Sequence, residues 1–233
     1  MRASASIAFL RDLLAPPRCA TCAAPCHAAE ILCRACGAEL ERASGGATTL
    51  AGIGPVTWSA PYEGVARALV AALKFRGGLG LARVAGAAIA ASVPARASVE
   101  FPTTAVANAT DAPPEGWTVV AVPAAPLRRR RRGYDPAELI AAEVSSLLGL
   151  PIEAPLTRAN GPRQVGRRRS ERLASPPRVR AVAAAPARAL LVDDVLTTGA
   201  TLVASAAALR AGGCIEVEAA VFARTVGTPY PGA

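Results

Sequence analysis

A chain of 233 residues holds one good-sized domain and a small second unit, with enough interior for a hydrophobic core. Its 52% hydrophobic content leans on alanine, aromatics are only 4%, and no uninterrupted apolar run reaches the roughly 18 residues of a spanning helix, so membrane insertion is not expected. The formal net charge of +9 predicts affinity for phosphates, nucleotides or nucleic acid.

At the N-terminus, Ile7–Leu10 is a short apolar patch broken by Arg11 and Asp12. A secretory signal needs a longer one, so a cytoplasmic protein is expected. Ile7, Leu10 and Leu14 read as one face of a short helix. Next, Cys19-x2-Cys22 and Cys33-x2-Cys36 form two matched knuckles. Without a secretory signal, such a pair reads as a structural zinc site of four thiolates and not as a disulfide framework. Cys26 competes for a place among the four, and His27, the only histidine, ranks below it. A segment this small buries little surface, so zinc would supply much of its folding free energy, on the order of 10 kcal/mol or more. Residues 1–44 are therefore one unit and 45–233 the main domain. The small unit is either a staple on the main domain or a contact surface for a partner or nucleic acid.

Ala43–Pro55 is small, glycine-rich and uncharged, and reads as a linker. Val56–Tyr62 has strand-like residues, and Val65, Leu69 and Leu73 recur at helical spacing. Lys74 is the only lysine in a chain with 26 lysines and arginines. It marks a place that needs a compact ammonium, or it is an ordinary surface lysine at a helix end; both stand open. Leu81–Ser92 reads as a second helix and Phe101–Gly116 as a loop or insertion. Thr118–Val122 is a buried strand, followed by Pro123 and by the run Arg128–Arg132. A helix follows, with Ile140, Val144, Leu147 and Leu148 on its buried face and Gly149 as its stop. Ile152–Leu156 is a short strand and Arg158–Pro177 a mobile loop. Cys214 reads as a small buried apolar residue, and Ile215–Phe222 as the last strand.

Before that last strand comes the most informative segment. Ala189–Val192 reads as a buried strand that stops at Asp193 and Asp194. Thr197, Thr198, Gly199, Ala200 and Thr201 follow, and then Leu202, Ala206 and Leu209 at helical spacing. A strand, a loop and a helix N-terminus present free N–H groups and hydroxyls to an anion. The acids would repel a phosphate, but vicinal sugar hydroxyls suit paired carboxylates. The loop thus reads as built for a ribose carrying a 5′-phosphate. The plainer alternative is a buried strand with an acidic turn and a threonine-rich cap.

Strands alternating with helices argue a parallel sheet flanked by helices, with ligands beyond the carboxyl ends of its strands. That places Arg128–Arg132 as a turn opposite the Asp193-Asp194 loop, cationic enough for pyrophosphate. A solvated charge run is the ordinary alternative.

The Asp193-Asp194…Thr197-Thr198-Gly199 pattern closely resembles the phosphoribosyl pyrophosphate (PRPP) motif of type I phosphoribosyltransferases. The resemblance implies that Asp193 and Asp194 bind the ribose hydroxyls and that Thr197, Thr198, Gly199, Ala200 and Thr201 wrap the 5′-phosphate. Some members carry a carboxylate, a base toward purines, where Thr197 stands here. Over the whole chain, the paired Cys knuckles, Tyr62, Leu73-Lys74-Phe75, Val122-Pro123, Arg132-Gly133-Tyr134-Asp135, Gln164…Arg172 and the Asp-Asp loop resemble the ComF family. Where family members often have Phe-Asn, this chain has Tyr134-Asp135. The resemblance implies a type I phosphoribosyltransferase-like α/β domain with a small N-terminal zinc segment. It implies binding of PRPP or a related ribose phosphate with magnesium, and a link to DNA uptake and its proteins. Arg128, Arg129 and Arg132 would hold pyrophosphate, with Asp193, Asp194, Arg132 and Lys74 as the catalytic set. Two functions are compatible with this. One is transfer of ribose phosphate to an acceptor. The other is a non-catalytic module that senses PRPP or a nucleotide, or binds single-stranded DNA.

Overall fold

The computed structural model describes residues 17–27, 30–75, 78–93, 116–159 and 177–225. The Ile7/Leu10/Leu14 helix face, most of the Phe101–Gly116 stretch, and Gln164 and Arg172 lie outside the described residues. The elements run α1 (Arg34–Glu41), β1 (Gly46–Leu50), β2 (Ile53–Pro61), α2 (Gly64–Phe75), α3 (Leu79–Ser92), β3 (Trp117–Ala121), α4 (Pro126–Arg132), α5 (Pro136–Leu148), β4 (Ile152–Glu153), β5 (Leu156–Arg158), β6 (Val179–Ala181), β7 (Arg188–Leu196), α6 (Ala200–Ala211) and β8 (Glu216–Arg224). Among the described residues, no helix is long and apolar enough to cross a membrane.

Six strands form one sheet in the order β1-β2-β8-β7-β3-β4. Every neighbouring pair is parallel except β1 with β2. The central strands bury side chains on both faces, as parallel strands under helices do. Val119, Leu190, Val192, Ala220 and Phe222 face one way, with α2, α3 and α5. Val120, Val122, Leu191, Val217, Ala219 and Val221 face the other, with α6. The β5–β6 ribbon is a separate antiparallel pair, and its Leu156 joins this second face. The period-2 alternation fixes the register, because a one-residue slip would exchange the two faces.

Several helices form where the apolar spacing places them. Val65, Leu69 and Leu73 are all buried on α2, and Leu202, Ala206 and Leu209 on α6. Gly149 closes α5 in the left-handed conformation. Each of these fully buried leucines contributes about 2 kcal/mol of transfer free energy.

Four expectations need correction. The Ala43–Pro55 linker is in fact β1, its turn and the start of β2. Two of its glycines serve close packing, Gly45 and Gly46, and a Cβ at Gly46 would lie 2.5 Å from the Trp58 ring. β7 does not stop at the acids but runs through them to Leu196. Arg128–Arg132 is a helix and not an open turn, with Pro126 in its first turn and Gly133 as its left-handed cap. Leu147, assigned to the buried face of α5, is 56% exposed in the last turn of the helix.

Candidate functional site

A cleft of about 240 Å³ opens at the carboxyl ends of β2, β3 and β7. Its walls carry Tyr62, Lys74, Val122, Pro123, Arg128 and Arg132. Asp135, Arg158, Asp193, Asp194, Thr197 and Thr201 complete the polar lining. Four cations and three carboxylates, drawn from five segments of chain, thus share one opening at the strands' carboxyl ends, where parallel α/β folds bind ligands.

Because β7 continues through the acids, its alternation sends them apart. Leu190 and Val192 belong to the α2 face, so Asp194 follows them. There the Asp194 carboxylate, at 8% exposure, meets Lys74 Nζ at 2.8 Å. Lys74, in the last turn of α2, thus lines the cleft with its ammonium on Asp194. Asp193 follows Ala189 and Leu191 toward the opposite face, the side of Arg158. One of its oxygens accepts the Asp194 N–H at 2.8 Å. Burial of the carboxyl and the charge of Asp194 hold Asp193 well above the usual carboxylate range, against the Asp194 N–H and Lys74, which favour ionisation.

The helical form of Arg128–Arg132 sorts the arginines. Arg128 and Arg132, one turn apart, both line the cleft. Arg129 does not: its guanidinium pairs with Glu138 at 2.9 Å, outside the cleft lining. Arg129, expected beside pyrophosphate, thus stands apart from Arg128 and Arg132 in the structure. Arg132 also lies over the ring of Phe75, 5.7 Å from its centre.

The Tyr134-Asp135 pair that follows is a joint. The Tyr134 hydroxyl donates to the Leu73 carbonyl at 2.5 Å, tying α4 and α5 to the end of α2 beside Lys74. Asp135 accepts from the N–H groups of Ala124 at 2.9 Å and Ala137 at 3.1 Å. It caps α5 and fixes the strand-end loop in one move. Burial raises its carboxyl, and those two N–H bonds oppose the rise.

Arg158 is a cleft residue that the sequence did not single out. The sequence places it at the start of a loop, but it ends β5 and lines the cleft. Burial and the neighbouring Arg128 charge lower its guanidinium from its ordinary value, while Asp193 raises it. No periodicity marks a single arginine on a three-residue ribbon strand; only the tertiary placement of the ribbon does.

The threonine loop opens α6 as expected. Thr197 and Thr201 line the cleft, while the Thr198 hydroxyl accepts from the Ala200 N–H at 3.5 Å. Gly199 sits at φ +69°, a conformation that favours glycine, and a Cβ there would come 2.7 Å from a Leu50 methyl. The N-cap, Gly199, has no side chain to offer, and after the Ala200 N–H the first turn of α6 keeps N–H groups without an intrahelical partner.

The second constellation is the cysteine cluster. The sulfurs of Cys19, Cys22, Cys33 and Cys36 all lie within 4.8 Å of one another and can hold one metal ion. Cys26 is not in this group; its thiol points to the Glu30 carbonyl at 3.6 Å. Burial works against the Cys19 thiolate, but hydrogen bonds from Cys22, Thr21 and Cys33 outweigh it and bring the thiol down to about 5. The Thr21 hydroxyl favours the Cys36 thiolate, yet burial and the facing thiols push that group up to about 12. Cys19 and Cys36 pack with Val65 at the start of α2, and Glu39 accepts the Val65 N–H at 2.9 Å. The cluster therefore grips the end of α2 opposite Lys74. Cys214 is buried, as its sequence position implied.

No family model matches the chain, and no curated protein matches its sequence.

Proposed function

We propose that this protein is a phosphoribosyltransferase-like protein, of the kind the ComF family resemblance implies, which binds PRPP and transfers its phosphoribosyl group to an acceptor. The observation that carries the reading is the joining of two vicinal acids and a Thr-Gly helix-opening loop, in one cleft, with Lys74, Arg128, Arg132 and Arg158. The N–H groups at the start of α6 and the Thr197 and Thr201 hydroxyls take the 5′-phosphate. Asp193 and Asp194 take the ribose hydroxyls, and the arginines take the pyrophosphate.

In the reaction the bond from ribose C1 to the pyrophosphate oxygen breaks and the oxygen keeps the electron pair. A bond from the acceptor to C1 forms, and the acceptor's proton passes to solvent. Arg128, Arg132 and Arg158 stabilise the charge that gathers on the leaving group, and the two acids stabilise the positive charge that develops on the ribose. Lys74 holds Asp194 in place. Magnesium suits a site with carboxylates and substrate phosphates, with Asp193 and Asp194 the residues that would hold it, and when bound it neutralises pyrophosphate charge.

The four-cysteine cluster is read as a structural zinc site, because tetrahedral thiolate sets favour zinc. Six free cysteines fit a reducing, cytoplasmic setting. A second reading is favoured by Thr197, which lines the cleft where a proton acceptor for a purine would stand. On that reading the cleft senses PRPP or a nucleotide without turnover, with single-stranded DNA held on the basic surface and DNA-uptake proteins as partners.

Calorimetry of the full chain with PRPP and magnesium tests the first step. Saturable one-to-one binding is expected; no heat at millimolar ligand would end the proposal. Labelled PRPP offered with a panel of nucleobases then separates transfer from sensing by the release of pyrophosphate.

A further inference from the structure

The bond from the Tyr134 hydroxyl to the Leu73 carbonyl joins residues 61 positions apart. That carbonyl belongs to the peptide unit that links Leu73 to Lys74, and a peptide unit is planar. Holding its oxygen therefore orients the backbone from which the Lys74 side chain departs. Leu73 lies in the last turn of α2, where carbonyls have no partner within the helix. The Lys74 stem is long and flexible, and its side chain keeps 25% exposure even while the ammonium meets Asp194. A fixed point of departure is what narrows its reach to one carboxylate. Tyr134 is itself fixed on both sides. It follows Gly133, the cap of α4, and precedes Asp135, which caps α5 and accepts the Ala124 N–H.

We propose that Tyr134 is a positioning residue: its hydroxyl sets the Leu73–Lys74 peptide so that the Lys74 ammonium lands on Asp194, and it thereby governs the ribose side of the cleft. Its effect on ligands rests on the ribose-phosphate reading of the site, whereas its effect on Lys74 does not. Tyr134 touches no ligand in this scheme. It acts through Lys74, and Lys74 through Asp194, so its influence falls on groups that meet the carboxylates. Arg128 and Arg132 belong to α4, which Gly133 closes before Tyr134 begins, so the leaving-group side keeps its geometry without the hydroxyl.

Tyr134→Phe removes the hydroxyl and keeps the ring, so the variant should fold, and matching thermal melts check this. Lys74 is the only lysine, so the full chain labelled with 13C at lysine Cε gives one lysine side-chain signal in magnetic resonance. In the wild type that signal should differ from its position in Asp194→Asn, and Tyr134→Phe should move it most of the way to the Asp194→Asn position. Calorimetry on the same proteins then uses two probes, ribose 5-phosphate for the carboxylate side and inorganic pyrophosphate for the arginine side. Tyr134→Phe should weaken ribose 5-phosphate about fivefold, the usual yield of one neutral hydrogen bond, and leave pyrophosphate within about twofold of the wild type. Adding Tyr134→Phe to Asp194→Asn should cost nothing further, because both act through one contact. An unchanged Lys74 signal in Tyr134→Phe overturns the proposal, and so does an equal loss of both ligands, which would make the hydroxyl a general brace of the joint. If the signal moves but the wild type binds neither probe, the ribose-phosphate reading falls and the placement of Lys74 by Tyr134 stands.

Discussion

The cysteine cluster takes all its sulfurs from Cys19–Cys36, whereas the cleft gathers side chains from Tyr62 to Thr201. The first is nearly complete within a short stretch of chain: Cys19 and Cys36 share a small apolar cluster with one buried main-domain residue, Val65, and Ala20, Ile31, Leu32 and Leu40 pack on the edge of the main core. The second is spread over distant segments that rest on a sheet buried on both faces and on the ribbon packed against it. The difference predicts opposite weaknesses. The cluster depends on its ion for structure, while the cleft keeps its structure whatever its charges do. α2 joins the two, with Val65 at one end and Lys74 at the other.

Metal removal is the largest test of this contrast. One metal ion per chain is expected by elemental analysis, and a structural zinc site contributes on the order of 10 kcal/mol to the segment that holds it. Strong chelation, or Cys33→Ser, should open residues 17–42 to protease while the sheet core stays protected. A metal-free protein with an equally resistant N-terminal segment would show that packing against Val65, Leu32 and Leu40 suffices, and the contrast would collapse.

The reverse case is Asp193→Asn with Asp194→Asn. Both side chains keep their shape and lose their charge. Ribose hydroxyls then meet neutral acceptors, and PRPP affinity should fall about tenfold or more. The fold should survive, because Lys74 is partly exposed and water can solvate it once its partner is neutral. Loss of the fold in this variant would mean that the charges brace the sheet end as well as the ligand.

The smallest effect is in pH. The Asp193 carboxyl is raised above its ordinary 3.8 by burial and by Asp194. Between the ordinary and the raised value the folded protein holds a proton that the unfolded chain has lost. Stability from this group is therefore fully present below the ordinary value and declines as pH rises through the raised one. Thermal melts across that range should show the decline in the wild type and a flatter curve in Asp193→Asn. PRPP affinity should move the opposite way, rising as Asp193 ionises. A wild-type curve with the same slope as the variant would place the titrating carboxyl elsewhere, with Asp135 the next to examine.

Much of this architecture is legible in the sequence because it depends on local pattern. Unbroken apolar runs give β3 and β7, since strands buried on both faces have no polar side to show. Leu202, Ala206 and Leu209 give α6, and Gly149 gives the end of α5. Two knuckles of matched spacing give the cysteine cluster, because a tetrahedral site is small enough for a few turns of chain to reach. Asp193, Asp194 and the threonine loop are contiguous, and so can be read as one device.

Other features were decided only by the tertiary structure, for identifiable reasons. β1 is glycine- and threonine-rich and becomes a strand by pairing with β2, where Gly46 lets it lie against the Trp58 ring. Lys74 and Asp194 are far apart in the chain, and nothing local to either names the other; α2 packing on the sheet brings them to 2.8 Å. Five consecutive arginines look equivalent until the helical turn puts Arg128 and Arg132 in the cleft and gives Arg129 to Glu138. Arg158 carries no sequence signal at all, and the β5–β6 ribbon delivers it. Sequence pattern records what each segment needs to bury or to bend. It does not record which charges meet at the strand ends, because that depends on strand order and on the helices packed between distant parts of the chain.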